Sequence, residues 1–82
     1  MPTVLRFSGY RVSIYPNDHR PAHVHVIGNG HEAVFVLGCS TGPVSLRENF
    51  GFALRELNEI ARELSQHAAF LCEEWRKIHG EP

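Results

Sequence analysis

Residues 20–37, RPAHVHVIGNGHEAVFVL, carry the reading that decides the fold. Asn29-Gly30 is a two-residue hairpin signal, because a type I′ turn requires positive φ at both central positions and these residues tolerate it. A turn there opposes Ile27 with Glu32, His25 with Val34 and His23 with Val36. Strand side chains alternate, so Val24, Val26, Ala33, Phe35 and Leu37 form an apolar face and His23, His25 and Glu32 share the other. A three-residue Gly28-Asn29-Gly30 loop would slip the pairing by one and bring His31 beside the histidine pair instead. The unbroken apolar face favours the first register.

Upstream, TVLRFSGYRVSIYP reads as a second hairpin turning at Ser8-Gly9. It would pair Phe7 with Tyr10, Leu5 with Val12 and Thr3 with Ile14. That sorts Leu5, Phe7, Tyr10, Val12 and Ile14 onto one face, and Val4, Arg6, Arg11, Ser13 and Tyr15 onto the other. NDHRP is a loop, with Pro21 biasing Arg20 toward extended backbone. Downstream, a Gly-Pro turn precedes a further short strand at about 43–47.

The periodicity changes near residue 48. Leu54, Leu57, Ala61, Leu64, Ala68, Leu71, Trp75 and Ile78 recur at spacings of three and four, an amphipathic helical stripe. Asn49 is the expected N-cap and Gly80 the expected stop. One helix from Phe52 to His79 would run roughly 42 Å at ~1.5 Å per residue, against ~17–20 Å for short strands. Either the chain bends near Ser65-Gln66-His67, giving two shorter helices, or the far half of one long helix packs on a second subunit. The expected architecture is α+β: a single domain over 1–82, with a small antiparallel sheet of about four to five strands within 3–47 and helix within 50–79, packed on one face.

The chain has 82 residues, a formal net charge of −1 and two cysteines. That length supports one core and no large buried substrate cavity. The charge gives no global nucleic-acid signal, so such binding would be local. No run approaches the ~20 apolar residues of a membrane span. With no leader-like opening, a cytoplasmic protein with Cys39 and Cys72 reduced is expected. Phosphate-loop, dinucleotide and nucleophile-elbow motifs are lacking.

MPTVLRFSGYRVSIYPNDHRPAHVHV resembles the opening of a family of small bacterial proteins, domain of unknown function 4160, which typically shows M-P-T-[IV] and later P-P-H-x-H. LRENFGFALRELNEIARELSQHAAFLCEEW is similar to its helical part, so the resemblance spans essentially the whole chain. Ala22 stands where the second proline is usual. The resemblance implies no defined activity. Family members are often encoded beside another small protein, which implies one half of a toxin–antitoxin-like or regulatory pair with a small cognate protein partner.

The polar face gathers His23, His25, Arg6, Arg11, Tyr15 and Glu32, and four readings stay open. The histidines are ordinary surface residues. Alternatively, His23 and His25 bind a divalent metal such as zinc, with His19, His31 or Glu32 as third ligand. In a third reading the face binds or cleaves RNA, as in a metal-independent ribonuclease. His23 and His25 would then be the catalytic acid and base, Arg6 and Arg11 would hold phosphate, and Tyr15 would stack or donate. In the fourth the module only binds protein, and the length and acidic surplus of its helical half suit a basic partner or a homodimer.

Overall fold

Asn29 and Gly30 adopt φ of 52° and 79°, the two left-handed residues of a type I′ turn. The register follows from it: Ile27 pairs with Glu32, His25 with Val34 and His23 with Val36. This is a computed structural model describing residues 3–39 and 42–80. Met1 and Pro2 of the N-terminal signature lie outside the described residues.

Five strands form one antiparallel sheet in sequence order: β1 (Thr3–Phe7), β2 (Tyr10–Ser13), β3 (His23–Gly28), β4 (His31–Val36) and β5 (Ser45–Phe50). Two helices follow, α1 (Leu54–Gln66) and α2 (Ala68–His79). The architecture is α+β, and the helix breaks at His67, whose φ of −112° and ψ of 15° leave the helical region. Gly80 ends α2 at φ 80°, with its N–H on the Arg76 carbonyl.

Val12, Ile14, Val24, Val26, Phe35 and Leu37 pack from the sheet against Leu57, Ile60, Leu64, Leu71 and Trp75 of the helices, all buried. Each large side chain so removed from water contributes about 1.5–3 kcal/mol, which is what holds sheet and helices together. The helical stripe is narrower than its spacing predicts. Ile60 rather than Ala61 is fully buried, and the two ends, Leu54 and Ile78, are 72% and 41% exposed. The break at His67 explains part of this, since each short helix buries its own middle and leaves the outer turns beyond the sheet.

Four further expectations change. A bulge between Thr3 and Leu5 pairs Thr3 with Ser13 instead of Ile14, and Val4 packs against the core rather than facing away with Arg6. β5 runs on to Phe50, beyond the expected end at 47. Asn49 does not cap α1: its side chain accepts from the Phe52 N–H and donates to the Phe52 carbonyl, closing the turn out of β5. Glu56 instead accepts from the N–H of Ala53, the residue just before α1.

The fourth concerns the cysteines, expected to be reduced. Cys39 and Cys72 form a disulfide between the segment after β4 and α2. They stand 33 positions apart in the chain, so only the packing of α2 against the sheet brings them together. Among the described residues, no helix is long and apolar enough to cross a membrane.

Candidate metal centre

The site is built by a turn and a strand. After β2, the Asp18 N–H bonds the Tyr15 carbonyl at 3.0 Å, while Asp18 Oδ2 accepts the Tyr15 N–H at 2.9 Å. Asparagine and aspartate favour such turns because their side chains bond nearby backbone. This double closure fixes the carboxylate and leaves Oδ1 facing β3. From α2, His79 Nε2–H donates to the same Tyr15 carbonyl at 2.9 Å, tying the turn to the helix end.

Asp18 Oδ1 lies 3.2 Å from His25 Nε2 and 3.5 Å from His23 Nε2. Each histidine is held from its far side. His23 Nδ1 is 2.8 Å from the Pro21 carbonyl oxygen, and His25 Nδ1 is 3.0 Å from Glu32 Oε2. A carbonyl and a carboxylate only accept, so both Nδ1 atoms carry the proton. The two Nε2 atoms therefore present lone pairs toward Asp18 whenever the imidazoles are neutral. Three acceptors then converge on one point, an arrangement that calls for a cation or a bound proton.

The dimensions suit a metal. One ligand atom from each of Asp18, His23 and His25 can be chosen so that all lie within 4.8 Å of one another. Ligands of a tetrahedral zinc ion, bound at ~2.0–2.1 Å, sit about 3.4 Å apart. The 3.2 and 3.5 Å separations bracket that value. Histidine ligands whose other nitrogen donates to a carboxylate or a carbonyl are the usual outer arrangement of metal sites.

Asp18 and the histidine rings are largely withdrawn from water. Burial by itself would raise the Asp18 pKa, but the Tyr15 N–H, the His25 hydrogen bond and the charges of His25 and His23 together outweigh it and hold the carboxyl below its ordinary value. His23 is only 6% exposed. Its ring lies 5.3 Å from Trp75 of α2 and 5.3 Å from His25, and the Tyr15 ring stands edge-on to His25 at 4.7 Å. Trp75 stacks in turn on His79 at 4.2 Å. The buried Trp75 Nε1–H has no hydrogen-bond partner among the described residues.

The three residues open on a cleft of about 220 Å³ lined also by Asn17, His19, Arg20, Val34, Arg47 and Glu48. The expected site residues divide accordingly. His23, His25, Glu32 and Tyr15 come together. His19 lines the cleft, while His31 packs on Phe52 at 5.5 Å, at the turn end of the β3–β4 hairpin. Arg11 pairs with Ile27, whereas His25 pairs with Ser13. Arg11 thus stands two residues along the strand from the histidine row, about 7 Å away, and Arg6 pairs with Arg11 on the edge strand. Neither arginine lines the cleft. Nor is the polar face as open as expected, since Trp75 covers His23. The residue missed was Asp18: NDHRP showed an aspartate at a turn, and nothing in its spacing said which way the turn folds.

A five-stranded meander under two helices, with an Asp-His-His group at one end of its central strand, defines a small α+β domain with a polar site on the sheet. The chain belongs to the family described as a domain of unknown function, DUF4160, whose profile matches residues 9–76. No curated protein and no solved structure is matched by it.

Proposed function

We propose that this protein binds a divalent transition metal ion, zinc being best suited to its ligands, through His23 Nε2, His25 Nε2 and Asp18 Oδ1. The observation that carries this reading is the convergence of Asp18 with the far-side nitrogens of two histidines whose Nδ1 atoms are each held by an acceptor. The Pro21 carbonyl and the Glu32 carboxylate each accept a hydrogen bond from an Nδ1–H, so in the neutral imidazoles both Nε2 lone pairs face the Asp18 carboxylate oxygen. Imidazole nitrogens with one carboxylate suit zinc and its neighbours better than calcium or magnesium, which prefer all-oxygen shells. Three protein ligands leave a fourth position, the pattern of zinc sites that bind or activate a small molecule rather than close a fold. It would face the cleft.

The RNA-cleaving reading keeps His23 and His25 but finds Arg6 and Arg11 outside the cleft, so it has less support. The deciding measurement is zinc titration of the purified, chelator-stripped protein by competition with a chromophoric chelator. One equivalent bound tightly, and lost in His25→Ala and Asp18→Asn variants that remain folded by circular dichroism, is the expected result. Failure of the parent to bind overturns the metal reading.

The exposed edge supports a second reading, that of one member of a protein pair. All six residues of β5 are exposed, with Leu46 at 46% and Phe50 at 58%. Edge strands present unpaired backbone groups that accept another strand. Co-purification with a small cognate protein of the kind the family resemblance implies, abolished by Leu46→Lys, tests this reading.

A further inference from the structure

We infer that the metal cleft is built to take a phosphate group, with the metal as one anchor and Arg47 as the second. The inference rests on the metal reading and adds to it the class of ligand.

A bulge in β5 sets the position of Arg47. β4 and β5 pair Val34 with Glu48 and Phe35 with Leu46, so Arg47 is the extra residue between them. Bulges of this kind interrupt pairing and re-aim a side chain, often beside a functional site. Arg47 lines the same cleft as Asp18, His23 and His25. β5 is two strands from β3, about 10 Å from backbone to backbone, with Val34 lying between and pairing with His25. A long guanidinium side chain spans that gap over a residue as small as valine.

Charge points the same way. Arg20 and Glu48 also line the cleft. A divalent ion, Arg20 and Arg47 together outweigh Asp18 and Glu48, so the metal-loaded cleft is positive. Arg47 makes no ion pair among the described residues. A guanidinium fork matches two oxygens of a phosphate while a metal ion takes a third. The cleft, at about 220 Å³, suits a phosphate head better than a bulky organic ligand.

The test uses the full chain loaded with cobalt(II), whose visible spectrum reports coordination, titrated with inorganic phosphate. The expected result is a saturable spectral change, with phosphate affinity reduced roughly tenfold or more in Arg47→Ala and cobalt affinity unchanged. Arg62→Ala, which removes the same charge from the exposed surface of α1, should leave phosphate binding as in the parent. Cobalt bound without any response to phosphate, or equal losses in Arg47→Ala and Arg62→Ala, overturns the phosphate inference and leaves the metal reading intact. No cobalt binding at all overturns both.

Discussion

Replacing Glu32 with glutamine tests the proposed metal centre through a residue that would not touch the ion. Glu32 Oε2 accepts from His25 Nδ1 at 3.0 Å, which orients the ring and makes its Nε2 a stronger donor to a metal. Glutamine keeps the size, and its amide oxygen can still accept the bond, so the ring orientation survives while the negative charge is lost. Outer partners of this type are worth about 10–100-fold in metal affinity. The Glu32 side chain is 42% exposed, so solvent screens much of its charge and the low end applies: about tenfold, or about 1.4 kcal/mol. Asp18→Asn removes the charge of a proposed ligand atom outright and should weaken binding by more than about 100-fold, beyond the range of an outer partner. The assay is competition titration with zinc at neutral pH, with thermal melts of the metal-free variants as the control for folding. An affinity in Glu32→Gln equal to that of the parent would refute the reasoning, because the His25–Glu32 bond would then have no bearing on a metal.

Other consequences concern stability. The 33-residue separation of Cys39 and Cys72 implies that a Cys39→Ala/Cys72→Ala variant loses about 3–4 kcal/mol through the freer unfolded chain, measurable by urea unfolding under non-reducing conditions; a loss below about 1 kcal/mol would contradict it. In metal-free protein the ionised form of Asp18 is favoured by folding, because its pKa is lowered. Its contribution is therefore fully present above the unfolded value near pH 4 and is lost as pH falls through the lower folded value. Asp18→Asn should flatten the acid limb of the stability curve below about pH 4, and an unchanged limb would show that Asp18 is not the group responsible. Gly51 sits at φ 110°, and a Cβ there would collide with the His31 ring. Gly51→Ala should accordingly destabilise by about 1–3 kcal/mol in thermal or urea unfolding, whereas Gly30→Ala, with open space around it, should suffer only the φ penalty.

Much of the fold follows from local rules that the chain states outright. Asn29-Gly30 dictates the turn, the turn dictates the β3–β4 register, and alternation then puts His23, His25 and Glu32 on one face. The helical stripe is equally local, since it depends on spacing, whereas the mismatch between a long helix and short strands left the bend near His67 as one of two alternatives. These features involve residues close in sequence, where backbone geometry leaves few choices.

What lies far apart in the chain was decided by the assembled structure. Asp18 enters the site because its turn is closed on Tyr15 and clamped by His79, 64 residues away. Trp75 closes over His23 because α2 returns along the sheet, and the same return joins Cys72 to Cys39. A bulge in β5 brings Arg47 to the cleft, where the sequence had drawn attention to Arg6 and Arg11. The sequence by itself determined the strands, the turns and the two histidines. Which carboxylate meets those histidines, and which arginine overlooks them, depended on packing between distant segments, and no local periodicity encodes that.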